Sequence, residues 1–168
     1  MGSAIAYFLT VEEEGSGSEA SRPRVTVVEM DPSFARSSTA LSVGGIRQQF
    51  STPENVRMSF FSAGFFRRAG ELLAVDGEAP ELGFREAGYL FLATEPGLGI
   101  LHRNHETQRS LGADVALLSP GELSARFPWL AVEGLAAGSL GLSGEGWLDP
   151  FSLLQAFRKK ARAQGVTF

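Results

Sequence analysis

The segment from Val25 to Phe50 constrains this chain more than any other. It opens with the apolar, β-branched run Val25 to Val28, ends that run at Glu29, and continues into a loop rich in hydroxyls and glycine. A parallel strand that ends in an acid is typical of a dinucleotide site, because the carboxylate binds ribose hydroxyls and the small residues after it let the backbone approach the ligand. Alone, Glu29 is also consistent with a surface glutamate at a strand end. With its loop, it predicts a flavin or nicotinamide site.

The first residues of the chain support this interpretation. Met1 and Gly2 are followed by SAIAYFLT, a small-to-apolar helical pattern with no strand before it. In the dinucleotide fingerprint GxGxxG, the last glycine lets a helix pack closely on the preceding strand. We assign Gly2 to that last glycine. The first strand and the first two glycines are then expected to lie outside this chain.

The spacing between the two motifs is longer than usual. Glu29 lies 27 residues after Gly2, whereas the ribose acid is expected about 20 residues after the fingerprint. The polar tract from Glu12 to Arg24 accounts for the difference, because its Gly, Ser and Glu residues bury little apolar surface and a long surface loop costs little extra entropy. We therefore predict a flexible surface connection there.

The loop after Glu29 supplies the second half of the predicted site. Hydroxyls and backbone amides can wrap a pyrophosphate or an isoalloxazine without bulky side chains intruding. Loops of this composition also occur without a ligand, so the prediction depends on the position of this loop directly after the acid. Its small residues include Ser37, Ser38, Thr39, Ser42, Gly44 and Gly45.

Three later helices begin with a capping residue followed by proline, a combination that favours a helix start. These pairs are Thr52 with Pro53, Ser119 with Pro120, and Asp149 with Pro150. Ser119 and Glu122 additionally have capping-box spacing. Asp149 is better explained as such a cap than as a catalytic acid. The predicted elements are a helix over 2–11, a helix over 54–75 with a wide apolar face, an extended segment from 82, a polar helix over 98–111, the strand 115–119, a helix from 120, a Gly-rich extended segment through 146, a helix from 150 and a strand start at 166.

Composition excludes several function classes. The net charge of −4 and a pI near 5.2 disfavour general nucleic-acid binding. The chain has no cysteine, which excludes disulfides, thiolate metal sites and a cysteine nucleophile within it. His102 and His105 beside Glu106 are better explained by an exposed polar helix than by a metal site, so we predict no metal. No apolar run reaches the ~20 residues of a membrane span.

Several ordered motifs together resemble a known family. The sequences MGSAIAYFL, VTVVEMD, RSSTALSVGGIRQQFSTPENV, REAGYLFLAT, LSPGELSARFPWL and GEGWLDPFSLLQAFRKKARAQGV are similar to the D-amino-acid oxidase and sarcosine dehydrogenase superfamily of FAD-dependent oxidoreductases. The stretches SVGGIRQQFSTPEN and FPWL to GEGWLDP are most similar to a mitochondrial branch associated with assembly of respiratory complex I. The resemblance covers nearly the whole chain, and it implies a chain truncated at both ends.

The resemblance implies a fold that combines α/β with α+β structure. We expect a Rossmann-like FAD-binding part that lacks its first strand, interleaved with a partial mixed-sheet substrate domain. The corresponding regions are residues 1–80 (FAD-binding), 81–148 (substrate domain) and 149–168 (the return helix and strand start of the FAD-binding part). The implied FAD contacts are Gly2, Glu29, Ser38, Thr39, Gly44 and Gly45.

The resemblance also implies a function. Relatives that oxidise amines or amino acids pass a hydride equivalent from a small amine to FAD. Some relatives attach FAD covalently through a histidine, and Leu41 stands at the corresponding place here, so we expect non-covalent FAD. The resemblance names no catalytic residue in this chain. We expect the chain alone to bind FAD weakly or not at all and to be inactive, and the parent protein to be mitochondrial.

Two alternatives remain. The first is a non-catalytic flavin-fold assembly factor whose partners are components of mitochondrial respiratory complex I. The second is an NAD-dependent dehydrogenase, which uses the same strand, glycine and acid but has no reason to need the loop from Ser37 to Gly45. Flavin reduction by a small amine distinguishes an oxidoreductase from the assembly factor.

Overall fold

The computed structural model describes residues 2–11 and 23–168, so most of the predicted surface connection lies outside the described residues. The helices are α1 (Gly2–Thr10), α2 (Pro53–Arg67), α3 (Ala69–Leu72), α4 (Leu98–Ser110), α5 (Pro120–Arg126) and α6 (Pro150–Ala163). The strands are β1 (Gly45–Ile46), β2 (Leu90–Ala93), β3 (Val115–Leu118), β4 (Ala137–Gly141) and β5 (Gly146–Trp147). A single 3₁₀ turn, Glu95–Gly97, leads into α4.

The chain divides into two compact units. Unit 1 comprises Met1–Gly44, Phe66–Gly83 and Leu148–Phe168, and unit 2 comprises Gly45–Phe65 and Phe84–Trp147. The chain therefore leaves unit 1 and returns to it twice. The assignment of residues 1–80, 81–148 and 149–168 to functional regions stays a prediction.

Unit 1 is built around the packing of α1 on α6. Ala6 and Ala161 are 1% and 0% exposed and form a small core with Val166. Their small side chains let the helices approach closely, and the rings of Tyr7 and Phe157 meet edge to face at 5.5 Å. The buried face of α1 therefore consists of its small and polar residues together with Tyr7.

The predicted strand at Val25 to Val28 forms only in part. Thr26 makes a parallel bridge with Thr167, in which the Val27 amide donates to the Thr167 carbonyl at 2.8 Å and the Thr167 amide donates to the Val25 carbonyl at 3.1 Å. Val28 is 92% exposed. Within the described residues the predicted parallel strand is therefore reduced to one bridge, because a full strand needs backbone partners along its whole length.

The predicted long helix over 54–75 is interrupted. Arg68, with φ −102° and ψ 5°, separates α2 from α3, and Val75 lies beyond α3 in a bridge with Glu78. Val56 and Leu73 are buried as expected, but Phe61 is 63% exposed. Apolar periodicity identified the helix but could not show that this ring faces outward.

Unit 2 contains a three-stranded antiparallel sheet in the order β2-β4-β3. Ser139 lies at the centre of the sheet, paired with Phe91 on one side and Leu117 on the other. A second, two-stranded sheet pairs Gly45 with Trp147 and Ile46 with Gly146. The extended segments predicted from Leu82 onward form β2 to β5, whereas β1 lies at the end of the loop predicted after Glu29.

Two of the helix caps predicted from sequence, those at Asp149 and Ser119, are confirmed, and the cap at Thr52 stays a prediction. Asp149 accepts hydrogen bonds from the amides of Phe151 and Ser152 at 2.9 and 3.3 Å, and bonds from Ser152 and Phe151 lower the pKa of its carboxyl. Ser119 accepts a bond from the Glu122 amide, while the Glu122 carboxylate accepts one from the Ser119 amide at 2.7 Å. This reciprocal pair is a complete capping box.

The capping box gives a simple test of local stability. We expect Ser119→Ala to lower the free energy of unfolding by about 1 kcal/mol, since the amide of Glu122 loses its acceptor. Ser124, exposed in the interior of α5, supplies the matched control, because Ser124→Ala removes a hydroxyl without removing a cap. Urea denaturation of both variants measures the difference, and equal stabilities would contradict the assigned cap.

Candidate functional site

The two ends of the predicted dinucleotide motif lie in unit 1. A Cβ at Gly2 would lie 3.7 Å from Val27 Cγ1, so the start of α1 packs on the segment that Glu29 terminates. Glu29 is exposed, and its Oε1 accepts a hydrogen bond from the Asp31 amide at 3.0 Å. An exposed carboxylate at the carboxyl end of a segment with parallel pairing fits the ribose-binding role, because ligands of parallel sheets bind at that end.

The loop after Glu29 folds largely on itself. Asp31 accepts bonds from the hydroxyl and the amide of Ser33 at 2.6 and 3.0 Å, and these bonds lower the pKa of Asp31. The Ser37 hydroxyl accepts a bond from the Ala40 amide at 3.1 Å. Of the two hydroxyl residues implied as FAD contacts, Ser38 is exposed and Thr39 half-buried. Both stay predicted contacts.

Gly44 and Gly45 differ in why they are glycine. Gly44 is buried, has a φ of +72°, and a Cβ there would collide with the Leu148 carbonyl oxygen. Its own carbonyl accepts a bond from the Leu148 amide at 3.1 Å. Gly45 is exposed, and a Cβ there would lie 3.5 Å from a ring carbon of Tyr89, an ordinary contact. Of these two glycines, packing therefore requires only Gly44.

Arg47 follows these glycines and lies in an aromatic frame in unit 2. Its guanidinium carbon is 5.1 Å from the ring centroid of Phe50, 6.0 Å from that of Tyr89 and 5.8 Å from that of Phe91. The side chain is exposed. Three rings within cation–π range restrain the guanidinium while its N–H groups remain near solvent. Such an arginine is suited to bidentate binding of a carboxylate.

A buried acid binds the backbone that directly follows Arg47. Glu145 is 1% exposed. Its Oε1 accepts hydrogen bonds from the amides of Gln48 and Gln49, the latter at 3.0 Å, and its Oε2 accepts one from the Gln49 side chain at 2.9 Å. Burial raises the pKa of Glu145, while the bonds from both glutamines and the charge of Arg47 act in the opposite direction.

Sequence reasoning missed both of these residues. Arg47 lies inside the quoted stretch SVGGIRQQF but carried no predicted role. Glu145 stands between Gly144 and Gly146 in a segment predicted to be extended. The available signal was a lone acid flanked by two glycines. Glycines leave space beside the acid, so its carboxylate can be buried next to the backbone.

Unit 2 contains a cavity of about 350 Å³ that Phe91 helps to line. Its wall contains no charged residue. The buried Gln108 donates to the Phe50 carbonyl at 3.0 Å, and its side-chain oxygen has no hydrogen-bond partner among the described residues. The lining residues include Gln49, Phe91, Ile100, Leu101, Gln108 and Ser139.

The remaining sequence predictions concern metals and membranes. In the described ranges 2–11 and 23–168, no three acidic or histidine side chains lie close enough together to hold a metal ion. His105 Nε2 lies 3.3 Å from the carbonyl oxygen of Val115. None of the helices in these ranges has the length and apolar character needed to cross a bilayer.

Comparison with known proteins decides the family. The family model described as FAD dependent oxidoreductase (DAO) matches residues 1–168. The chain belongs to the DAO family of FAD-dependent oxidoreductases. The resemblance found in the sequence is thereby confirmed, and so is FAD as the cofactor of the family.

Curated relatives agree with this assignment. The chain is 50% identical over 169 residues to FAD-dependent oxidoreductase domain-containing protein 1 of Bos taurus, covering 100% of this chain and 34% of the relative. It is 49% identical over 167 residues to the protein of the same name from Xenopus laevis, covering 99% of this chain and 33% of the relative. The chain thus spans about a third of the length of these relatives.

Solved structures confirm the predicted fold class. L-proline dehydrogenase from P. horikoshii matches with a TM-score of 0.73 and 30% identity, over 98% of this chain and 40% of that chain. Glycine oxidase from Geobacillus kaustophilus matches with a TM-score of 0.74 and 24% identity, over 98% of this chain and 42% of that chain. At its identity, the second match is informative about the fold alone.

Proposed function

We propose that the full-length protein, meaning a protein of the relatives' length that contains this sequence, oxidises a small amino acid or amine and passes a hydride equivalent to non-covalently bound FAD. Family membership supports FAD-dependent oxidation. The 30% identical L-proline dehydrogenase acts, by its name, on an amino acid with a secondary amine and a carboxylate. Such a substrate needs a cationic group to hold its carboxylate.

Arg47 is the observation that carries this proposal. Its guanidinium is exposed and lies within 6.0 Å of three ring centroids, two residues after Gly45. The rings limit its side-chain freedom in advance, so less conformational entropy is lost when a carboxylate binds. An arginine keeps its charge at any physiological pH, which suits a permanent carboxylate anchor. We assign Arg47 to the substrate carboxylate.

The remaining predicted site residues would bind FAD. FAD, when bound, supplies the hydride-accepting chemistry. Glu29 would hold the adenosine ribose, and the contact of Gly2 with Val27 would hold the start of α1 at the cofactor. Ser38, Thr39, Gly44 and Gly45 would line the cofactor. The side chain at position 41 is leucine and 72% exposed, and a leucine side chain has no atom that forms a covalent bond to flavin. FAD would therefore have no covalent bond to the protein at that position.

Substitution of Arg47 tests the proposal. In the FAD-loaded full-length protein we expect Arg47→Gln to raise KM for an amino-acid substrate by about 10- to 100-fold. This factor corresponds to the loss of one charge-assisted hydrogen bond. The kcat should change little, and KM for the corresponding amine without a carboxylate should stay constant. Stopped-flow flavin reduction and steady-state assays with L-proline and pyrrolidine measure both quantities.

Arg57→Gln is the matched control, because Arg57 is an exposed arginine on α2. It should leave both KM values unchanged. An equal rise of KM for both substrates in Arg47→Gln would contradict the assigned role. Failure of amines and amino acids to reduce the flavin would instead favour the non-catalytic assembly factor for respiratory complex I.

A further inference from the structure

The buried carboxylate of Glu145 holds the backbone directly after Arg47. Its Oε1 is shared by the amides of Gln48 and Gln49, which are consecutive in the chain, and its Oε2 binds the Gln49 side chain at 2.9 Å. One carboxylate therefore constrains two successive peptide units and one side chain. The Cα of Arg47 lies immediately before this constrained segment.

Gln49 extends the constraint to the aromatic frame. Its side-chain nitrogen donates to Glu145 and also to the Tyr89 carbonyl at 2.8 Å, while its oxygen accepts a bond from the Ser139 hydroxyl at 2.6 Å. The two acceptors and the hydroxyl donor together determine which way the amide points. Glu145 is thus linked through Gln49 to Tyr89, which carries one of the three rings around Arg47 and directly precedes β2, the strand that carries Phe91.

Glycines make room for this arrangement. A Cβ at Gly141 would collide with the Glu145 carboxylate, and a Cβ at Gly144 would collide with the Gln48 side chain. The Gly88 amide donates to the Glu145 carbonyl at 3.0 Å. The backbone therefore encloses the carboxylate, and water is excluded from it, as the 1% exposure of Glu145 shows.

We propose that Glu145 is the positioning residue for Arg47: it fixes the backbone at Gln48 and Gln49 so that the guanidinium stays among the rings of Phe50, Tyr89 and Phe91. The proposal rests on the carboxylate-binding function of Arg47. Glu145 itself touches neither substrate nor cofactor in this scheme. Its effect on catalysis passes entirely through the direction of the Arg47 side chain.

A double-mutant cycle tests this role in the FAD-loaded full-length protein. In Glu145→Gln one carboxylate oxygen is replaced by an NH₂ group, which cannot accept the hydrogen bonds that the carboxylate accepted. The backbone after Arg47 is then less constrained. We expect KM for L-proline to rise by about 3- to 30-fold, as for a small misplacement of a binding group. The kcat and the KM for pyrrolidine should change less than about twofold. Added to Arg47→Gln, the same change should alter KM for L-proline less than about twofold, because coupled residues are not additive.

Glu86→Gln is the matched control. Glu86 also accepts a backbone bond in unit 2, from the Gly144 amide at 2.7 Å, but the bond does not involve Gln48 or Gln49. It should leave KM for L-proline unchanged. If Glu145→Gln fails to fold by circular dichroism, Ser139→Ala replaces it, since loss of the Ser139 hydroxyl frees the Gln49 amide and should raise KM for L-proline by about threefold.

The outcomes separate the two proposals. If Arg47→Gln leaves KM for L-proline unchanged, the proposed function is wrong. If Arg47→Gln raises it and Glu145→Gln does not, the positioning role alone is wrong. Equal losses for L-proline and pyrrolidine, or additive effects in the double variant, would show that Glu145 only supports the fold and would also overturn the positioning role.

Discussion

Glu145→Ala is expected to lower the free energy of unfolding by about 3–5 kcal/mol, because each buried donor left without an acceptor costs about 1–3 kcal/mol. The donors are the amides of Gln48 and Gln49 and the Gln49 side chain. Glu145→Gln keeps the volume and one acceptor oxygen and should lose less. Urea denaturation followed by circular dichroism measures both changes.

Glu86→Gln again serves as the control, since the backbone bond that Glu86 accepts from the Gly144 amide does not involve Gln48 or Gln49. It should cost much less than Glu145→Ala. A Glu145→Ala protein as stable as the control would show that the buried carboxylate does not organise unit 2.

The same carboxylate gives stability a dependence on pH. Burial raises the pKa of Glu145 above its ordinary value of 4.5, so the folded protein binds this proton more tightly than the unfolded chain. The resulting stabilisation is complete below pH 4.5 and is lost as the pH rises through the raised pKa. The stability difference between the natural protein and Glu145→Gln should therefore shift in favour of the variant as the pH rises.

Local signals in the sequence predicted the helices well. Ser119 with Pro120 and Asp149 with Pro150 mark the starts of α5 and α6, and both caps form as predicted. Capping depends on a side chain and an amide two or three residues away, so short-range sequence contains the whole interaction. The break at Arg68 was missed because the apolar pattern continues across it.

Long-range contacts limited the rest. The segment at Val25 lacks a full strand because strand formation needs partners distant in sequence, and the described residues supply one. The bonds between Glu145 and Gln49 join residues 96 positions apart. No periodicity relates such positions, and only the glycines around Glu145 hinted at a buried acid.

The predicted FAD contacts show the same division. Position 29 was identified from a local pattern of strand, acid and loop, and the acid is exposed, while its contact with FAD stays a prediction. Glycine at position 44 was interpreted as room for a ligand. The Leu148 carbonyl now provides a structural reason for that glycine as well.

Gly44→Ala should therefore destabilise the protein whether or not FAD is present. The left-handed backbone at position 44 costs about 1–2 kcal/mol for alanine, and the overlap of the new methyl group with the Leu148 carbonyl costs about 1–3 kcal/mol more. We expect a total loss of about 2–5 kcal/mol in urea denaturation. Gly45→Ala, with an ordinary contact to Tyr89 and no left-handed φ, should change stability by less than about 1 kcal/mol. If the two variants are equally stable as apoproteins and Gly44→Ala binds FAD more weakly, the glycine at position 44 serves only the cofactor.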